Sequence, residues 1–204
     1  MEDEDDWDGV KHHTKIFDPF SIMKDKAVNE WGLVNTLLAE LAIDSSSLRS
    51  VSLGNDPPDC TLEFSGKLVG IEVVGLMDQR ARELTARARW KSEACTEQLN
   101  WETRAVLAVH DAIWTRDTFH AAARELALTK DEKVRAGIRD KKAASECDKF
   151  WLVIHSDEMY LNSRTVSEFA NGFKLNSGVF ERIYLVLSYE PDGNEGRYPY
   201  FQLK

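Results

Sequence analysis

The sequence predicts an α/β fold, a mixed β-sheet flanked by helices, and three features point to it. Phe150 to Ile154 (FWLVI) and Ile183 to Leu187 (IYLVL) are apolar on both faces, as strands covered on both sides are. Between them Arg164 to Phe173 has helical content, so the pair reads as a βαβ crossover. Upstream, residues 59–75 read as a β-hairpin, and the helical pattern before it and the proline-free stretch after it supply the flanking layers.

A chain of 204 residues with 43% apolar and 30% charged residues favours one compact domain. Residues 1–26 open MEDEDDWD, continue through His12, His13, an Asp-Pro step and lysines, and show no period. They read as an acidic mobile arm, leaving 27–204 as the domain. The first helical pattern puts Trp31, Val34, Leu37, Leu38 and Leu41 on one face, with Asn29 as its cap and Ser45 to Ser47 ending it. Asn55 to Pro58 (NDPP) mark a loop, since proline lacks a backbone donor. Residues 59–64 form one hairpin arm, Ser65 and Gly66 the turn, and 67–75 the second arm. From Met77 to Arg139 there is no proline and one glycine, Gly137, which suits two or three helices. Gly193 to Gly196 (GNEG) follow Pro191 and read as a turn before a last strand; they are not a phosphate-binding loop.

Composition excludes several classes. No apolar run approaches the roughly 18 residues a membrane span needs, and an acidic start is unlike a secretory or transit signal. Cys60, Cys95 and Cys147 are odd in number and widely spaced, which reads as reduced thiols in a cytoplasmic protein. A net charge of -9 argues against a general nucleic-acid-coating protein, though not against a local basic face.

The hairpin carries the chemistry. With a two-residue turn, facing residues have numbers that sum to 131, so Cys60 faces Ile71 and Asp59 faces Glu72. One face then carries Cys60, Leu62, Phe64, Val69, Ile71 and Val73 and is core. On the other, Asp59 and Glu72 meet with Cβ atoms about 5 Å apart, although like charges opposite one another are destabilising. A hard divalent cation such as Mg²⁺ accounts for the pairing. Glu63 shares that face but lies about 13 Å along its strand from Asp59, too far to join.

Pro57, Pro58, Asp59 and Cys60, followed by a short strand, a turn and Ile71 to Val74 (IEVV), resemble the active-site hairpin of the PD-(D/E)XK, or restriction-endonuclease-like, superfamily. The resemblance is specific over about 20 residues and implies a restriction-endonuclease-like core. It implies a nuclease hydrolysing DNA phosphodiester bonds with Mg²⁺ or Mn²⁺, in which Asp59 and Glu72 bind the metal and Val73 offers its carbonyl. The family's lysine, which helps activate the attacking water, falls at Val74. This departure leaves an alternative open, a catalytically degenerate module that binds DNA or a protein partner.

Many members draw a further acid from an upstream helix. Glu30 continues the stripe of Val34, Leu37 and Leu41, an odd place for a carboxylate, so it is a candidate metal ligand. The competing reading puts it in the first helical turn, where the helix dipole favours negative charge. For the missing lysine, Lys67 is the nearest in sequence but points to the face opposite Glu72, while Gln79, Arg80 and Arg82 lie in the first turns of a helix that starts just beyond the strand bearing Glu72. That helix is locally basic (Arg80, Arg82, Arg87, Arg89, Lys91), although a solvated face is the simpler reading. The second basic cluster, Lys130, Lys133, Arg135, Arg139, Lys141 and Lys142, is diluted by Asp131, Glu132 and Asp140 and reads as solvated. His110 shares an apolar face with Val106 and Trp114 and reads as packed. His155, Ser156 and Asp157 have the residue types of a hydrolase triad, but neighbours on a strand point to opposite faces.

Overall fold

The computed structural model describes residues 22–52, 54–76, 114–156, 161–176, 178–187 and 198–204. Within them six strands form one mixed sheet in sequence order: β1 (Arg49–Ser50), β2 (Cys60–Phe64), β3 (Lys67–Gly75), β4 (Lys149–Ser156), β5 (Phe180–Leu187) and β6 (Tyr200–Gln202). The β3–β4 and β4–β5 pairs are parallel and the others antiparallel. Three described helices flank the sheet: α1 (Ile22–Glu40), α2 (Arg116–Arg139) and α3 (Ser163–Ala170).

Side-chain alternation divides the core in two. On one face α1 sets Val34, Leu37 and Leu38 against Cys60, Leu62, Val69, Ile71, Val73, Trp151, Val153, Tyr184 and Val186. On the other, α2 and α3 bring Phe119, Ala123, Ala127, Val134 and Val166 onto Leu152, Ile154, Ile183, Leu185 and Leu187. The central strands β4 and β5 are buried on both sides because a helix layer covers each face. Asn162 caps α3, accepting from the Thr165 N–H at 2.9 Å, and α3 forms the crossover between β4 and β5.

The first helix departs from expectation in two ways. It begins at Ile22, so Asn29 lies inside it and caps nothing, and part of the segment assigned to the arm is helical. Trp31 is 38% exposed, not core. It lies one turn N-terminal to the buried Val34, Leu37 and Leu38, beside a groove of about 330 Å³ lined by Val28 and Leu48. Residues 1–21 and the whole of 77–113, with Gln79, Arg80, Arg82 and His110, lie outside the described residues, as do Asp157 and the 193–196 turn. Among the described residues no helix is long and apolar enough to cross a membrane.

Candidate active site

The hairpin register is the one the turn arithmetic requires: Cys60 pairs with Ile71, Leu62 with Val69 and Phe64 with Lys67. Cys60, Leu62, Val69, Ile71 and Val73 are buried against α1, and Phe64 is partly buried there. Asp59 immediately precedes β2, and its side chain enters the ladder. Oδ2 accepts the Val73 N–H at 2.8 Å, while the Asp59 N–H donates to the Ile71 carbonyl at 3.1 Å. This fixes the carboxylate against β3. Because the N–H and C=O of a strand residue point to the same edge, the Val73 carbonyl also faces the Asp59 side.

Glu72 projects to the α2 face, paired with Leu152 on β4 and two residues from Val74. It is fully buried, and the Asp59 side chain is only 3% exposed. Two carboxylates removed from water beside apolar neighbours are costly unless cations accompany them.

The cations come from α2. Lys130 Nζ donates to Glu72 Oε2 at 2.6 Å and lies 3.8 Å from Asp59 Oδ2. Lys133 Nζ stands 3.4 Å from both Glu72 oxygens, 3.9 Å from Asp59 Oδ1 and 3.3 Å from Asp56 Oδ2. Residues three apart share a helix face, so both ammoniums reach one cluster. Both carboxylates thus lie within 4 Å of each of the two ammoniums.

Local sequence explains why α2 passes so close. Thr115 and Thr118 form a reciprocal cap that starts the helix. Near its end Gly137 lies against Pro57, and a Cβ at that position would come within 2.5 Å of Pro57 Cγ. Only glycine permits this approach. The loop before β2 is then tied to the segment after α2, with Lys142 Nζ donating to the Asp56 carbonyl at 2.8 Å and the Ala144 N–H to the Pro57 carbonyl at 3.0 Å. Asp131 fixes the helix on its other side, accepting from Arg135 at 2.6 Å and from the Val179 N–H at 2.7 Å.

The electrostatics follow from this crowding. Burial and then Asp59 push the Glu72 carboxyl above its usual value, with Lys130 and Lys133 pulling the other way. Burial works against the Lys133 ammonium, but attraction by Glu72, Asp59 and Asp56 outweighs it and holds Lys133 above the ordinary range. At Asp56 the desolvation penalty is likewise overcome by Lys133, which keeps that carboxyl low. Burial, Asp59 and Glu30 raise the Cys60 thiol to about 12, so it is an inert core residue.

Of the residues singled out from sequence, Asp59, Glu72 and the Val73 backbone come together. Val74 packs on the α2 face as a partly buried apolar residue. Glu30 is the ninth residue of α1, not a first-turn acid, and its charge is felt at Cys60. Among the described residues no group of three or more His, Cys, Asp or Glu side chains is arranged as a metal-ligand cluster. The largest correction concerns the second basic cluster. Lys130 and Lys133 do not form a free solvated face: their side chains are 15% and 34% exposed and both ammoniums turn toward Asp59 and Glu72. A signal was present, since Lys130 falls by helical spacing on the face of Phe119, Ala123, Ala127, Val134 and Gly137, which is buried together with Asp131. The acids interspersed with the cluster obscured it.

No protein-family model, no curated protein and no solved structure matches the chain. Its own donor set fits a hard cation: two carboxylates and a main-chain carbonyl are oxygen ligands of the kind Mg²⁺ takes. Asp59 Oδ2 is already anchored by a backbone N–H, and Glu72 would have to exchange its short bond to Lys130 for the ion.

Proposed function

We propose that the chain is a nuclease with a restriction-endonuclease-like core, hydrolysing DNA phosphodiester bonds with Mg²⁺ or Mn²⁺. One observation carries the reading: two lysines of α2 stand beside Asp59 and Glu72, the position that Val74 leaves without a cation. The hairpin register, which brings the two acids together beside the Val73 main chain, supports it. The free thiols of Cys60 and Cys147 fit a cytoplasmic setting.

In this reading Asp59, Glu72 and the Val73 carbonyl hold the metal, which when bound lowers the pKa of a water and offsets charge on phosphorus. Asp59 is kept in place by the Val73 N–H. Lys130 compensates the buried Glu72 and, released from it, orients the attacking water. Lys133 offers a positive charge toward the developing negative charge of the phosphate, a contribution of roughly 10² to 10³ in rate for one well-placed donor elsewhere.

A second reading has its own observation. Glu72 is fully buried and bonded at 2.6 Å to Lys130, which satisfies it as an internal ion pair. In that case the chain is a degenerate module binding DNA or a protein. Plasmid and single-stranded DNA separate the two when incubated with each metal and either wild type or Asp59→Ala. Metal-dependent cleavage that vanishes in Asp59→Ala supports the nuclease, and binding without cleavage by either protein supports the module.

A further inference from the structure

The geometry points to a division of labour between the two lysines: Lys133 is the phosphate-contacting cation, and Asp56 is the positioning residue that holds it at the mouth of the site. The inference rests on the nuclease reading and deepens it. Lys130 is tied at 2.6 Å to a carboxylate with no exposure and is itself 15% exposed, so it stays on the floor of the site, beside the metal-binding acids and away from the mouth. Lys133 is 34% exposed and has no partner that close. It is suspended between Asp56 at 3.3 Å, on the rim, and Glu72 at 3.4 Å, on the floor.

Asp56 is suited to that task. Its side chain is 36% exposed, its carbonyl is fixed by Lys142, and the Pro57 that follows is clamped against Gly137. Without the rim carboxylate, Lys133 is attracted only toward Glu72 and Asp59, away from any bound backbone. The consequence runs against simple charge counting. Deleting an acid beside a DNA site ordinarily tightens binding, because a repulsion is lost. Deleting Asp56 weakens it.

The test measures DNA affinity of the full chain over a series of salt concentrations, with Ca²⁺ replacing Mg²⁺. Lys133→Gln is expected to lower the slope of log affinity against log salt by about 0.9, one phosphate contact. Asp56→Ala should weaken binding several-fold, Asp56→Asn should restore most of it through its amide oxygen, and Asp56→Ala should add nothing in a Lys133→Gln background. Binding by Asp56→Ala as tight as wild type, or an equal loss in both backgrounds, overturns the role of Asp56. A Lys133→Gln slope equal to that of wild type overturns the assignment whatever Asp56→Ala does. Either result leaves the nuclease reading standing if wild type cleaves DNA, whereas wild type that neither binds nor cleaves DNA overturns both.

Discussion

Lys130 Nζ donates to Glu72 Oε2 at 2.6 Å, joining a helix to a strand 58 residues earlier in the chain. The bond is made on the buried side of the sheet, where Glu72 has no access to water. Removing one partner of such a pair strands the other charge. Lys130→Met is therefore expected to destabilise the fold by about 3 kcal/mol, the lower end for buried pairs because Lys133 remains nearby. Replacing both partners, as Lys130→Met with Glu72→Leu, should recover most of that loss, since apolar groups of similar size need no compensation. Denaturant midpoints at constant m-value check both outcomes.

The pH dependence of stability isolates Glu72. Its carboxyl is held above the usual 4.5, so the folded chain keeps this proton to higher pH than the unfolded chain does. Folding then binds the extra proton between the two values, and this group's contribution falls as pH rises from 4.5 through the folded value. Glu72→Gln lacks that loss. Its stability relative to wild type should climb across this window and level off above it, as followed by urea unfolding at successive pH values. A constant difference would show that Glu72 titrates alike in both states.

Gly137 offers a contrast with ordinary helix behaviour. Replacing an interior helical glycine by alanine usually stabilises by roughly 1 kcal/mol. Gly32, inside α1, should follow that rule, because a methyl added there would meet nothing within 4 Å. Gly137→Ala should do the opposite, because its methyl would press on Pro57 and displace the loop that carries Asp56 and Asp59. Thermal melts of the two variants should shift in opposite directions, with DNA cleavage reduced only in Gly137→Ala.

Much of this architecture was legible in the residues. The hairpin register followed from one two-residue turn, because strand alternation leaves no freedom once Ser65 and Gly66 are the turn. The paired parallel strands followed from two apolar runs. The start of α1 was hidden because Ile22 to Val28 lack a strong apolar period, and Asn29 imitates a cap. Spacing alone counts Trp31 toward the apolar stripe, but burial on α1 is confined to Val34, Leu37 and Leu38 among its described side chains. The α2 lysines were missed for a different reason. Helical spacing does put Lys130 on an inward face, but Lys130 and Lys133 are set by a contact with Glu72, and a local pattern does not name a partner that far away.

The central claim is that lysines from α2 do the work of the lysine that Val74 displaces. Val74 is two residues from Glu72 on the same face, so a lysine there would reach the same carboxylates. The most direct measurement compares Mn²⁺-dependent plasmid cleavage by wild type, Lys130→Gln, and Lys130→Gln with Val74→Lys. Cleavage by wild type, a loss of roughly 10²-fold or more in Lys130→Gln, and substantial recovery in the double variant are the results expected if the positions are interchangeable. Cleavage unaffected by Lys130→Gln, or lost in it and not regained when Val74→Lys restores a folded protein with a cation beside Glu72, would contradict the claim.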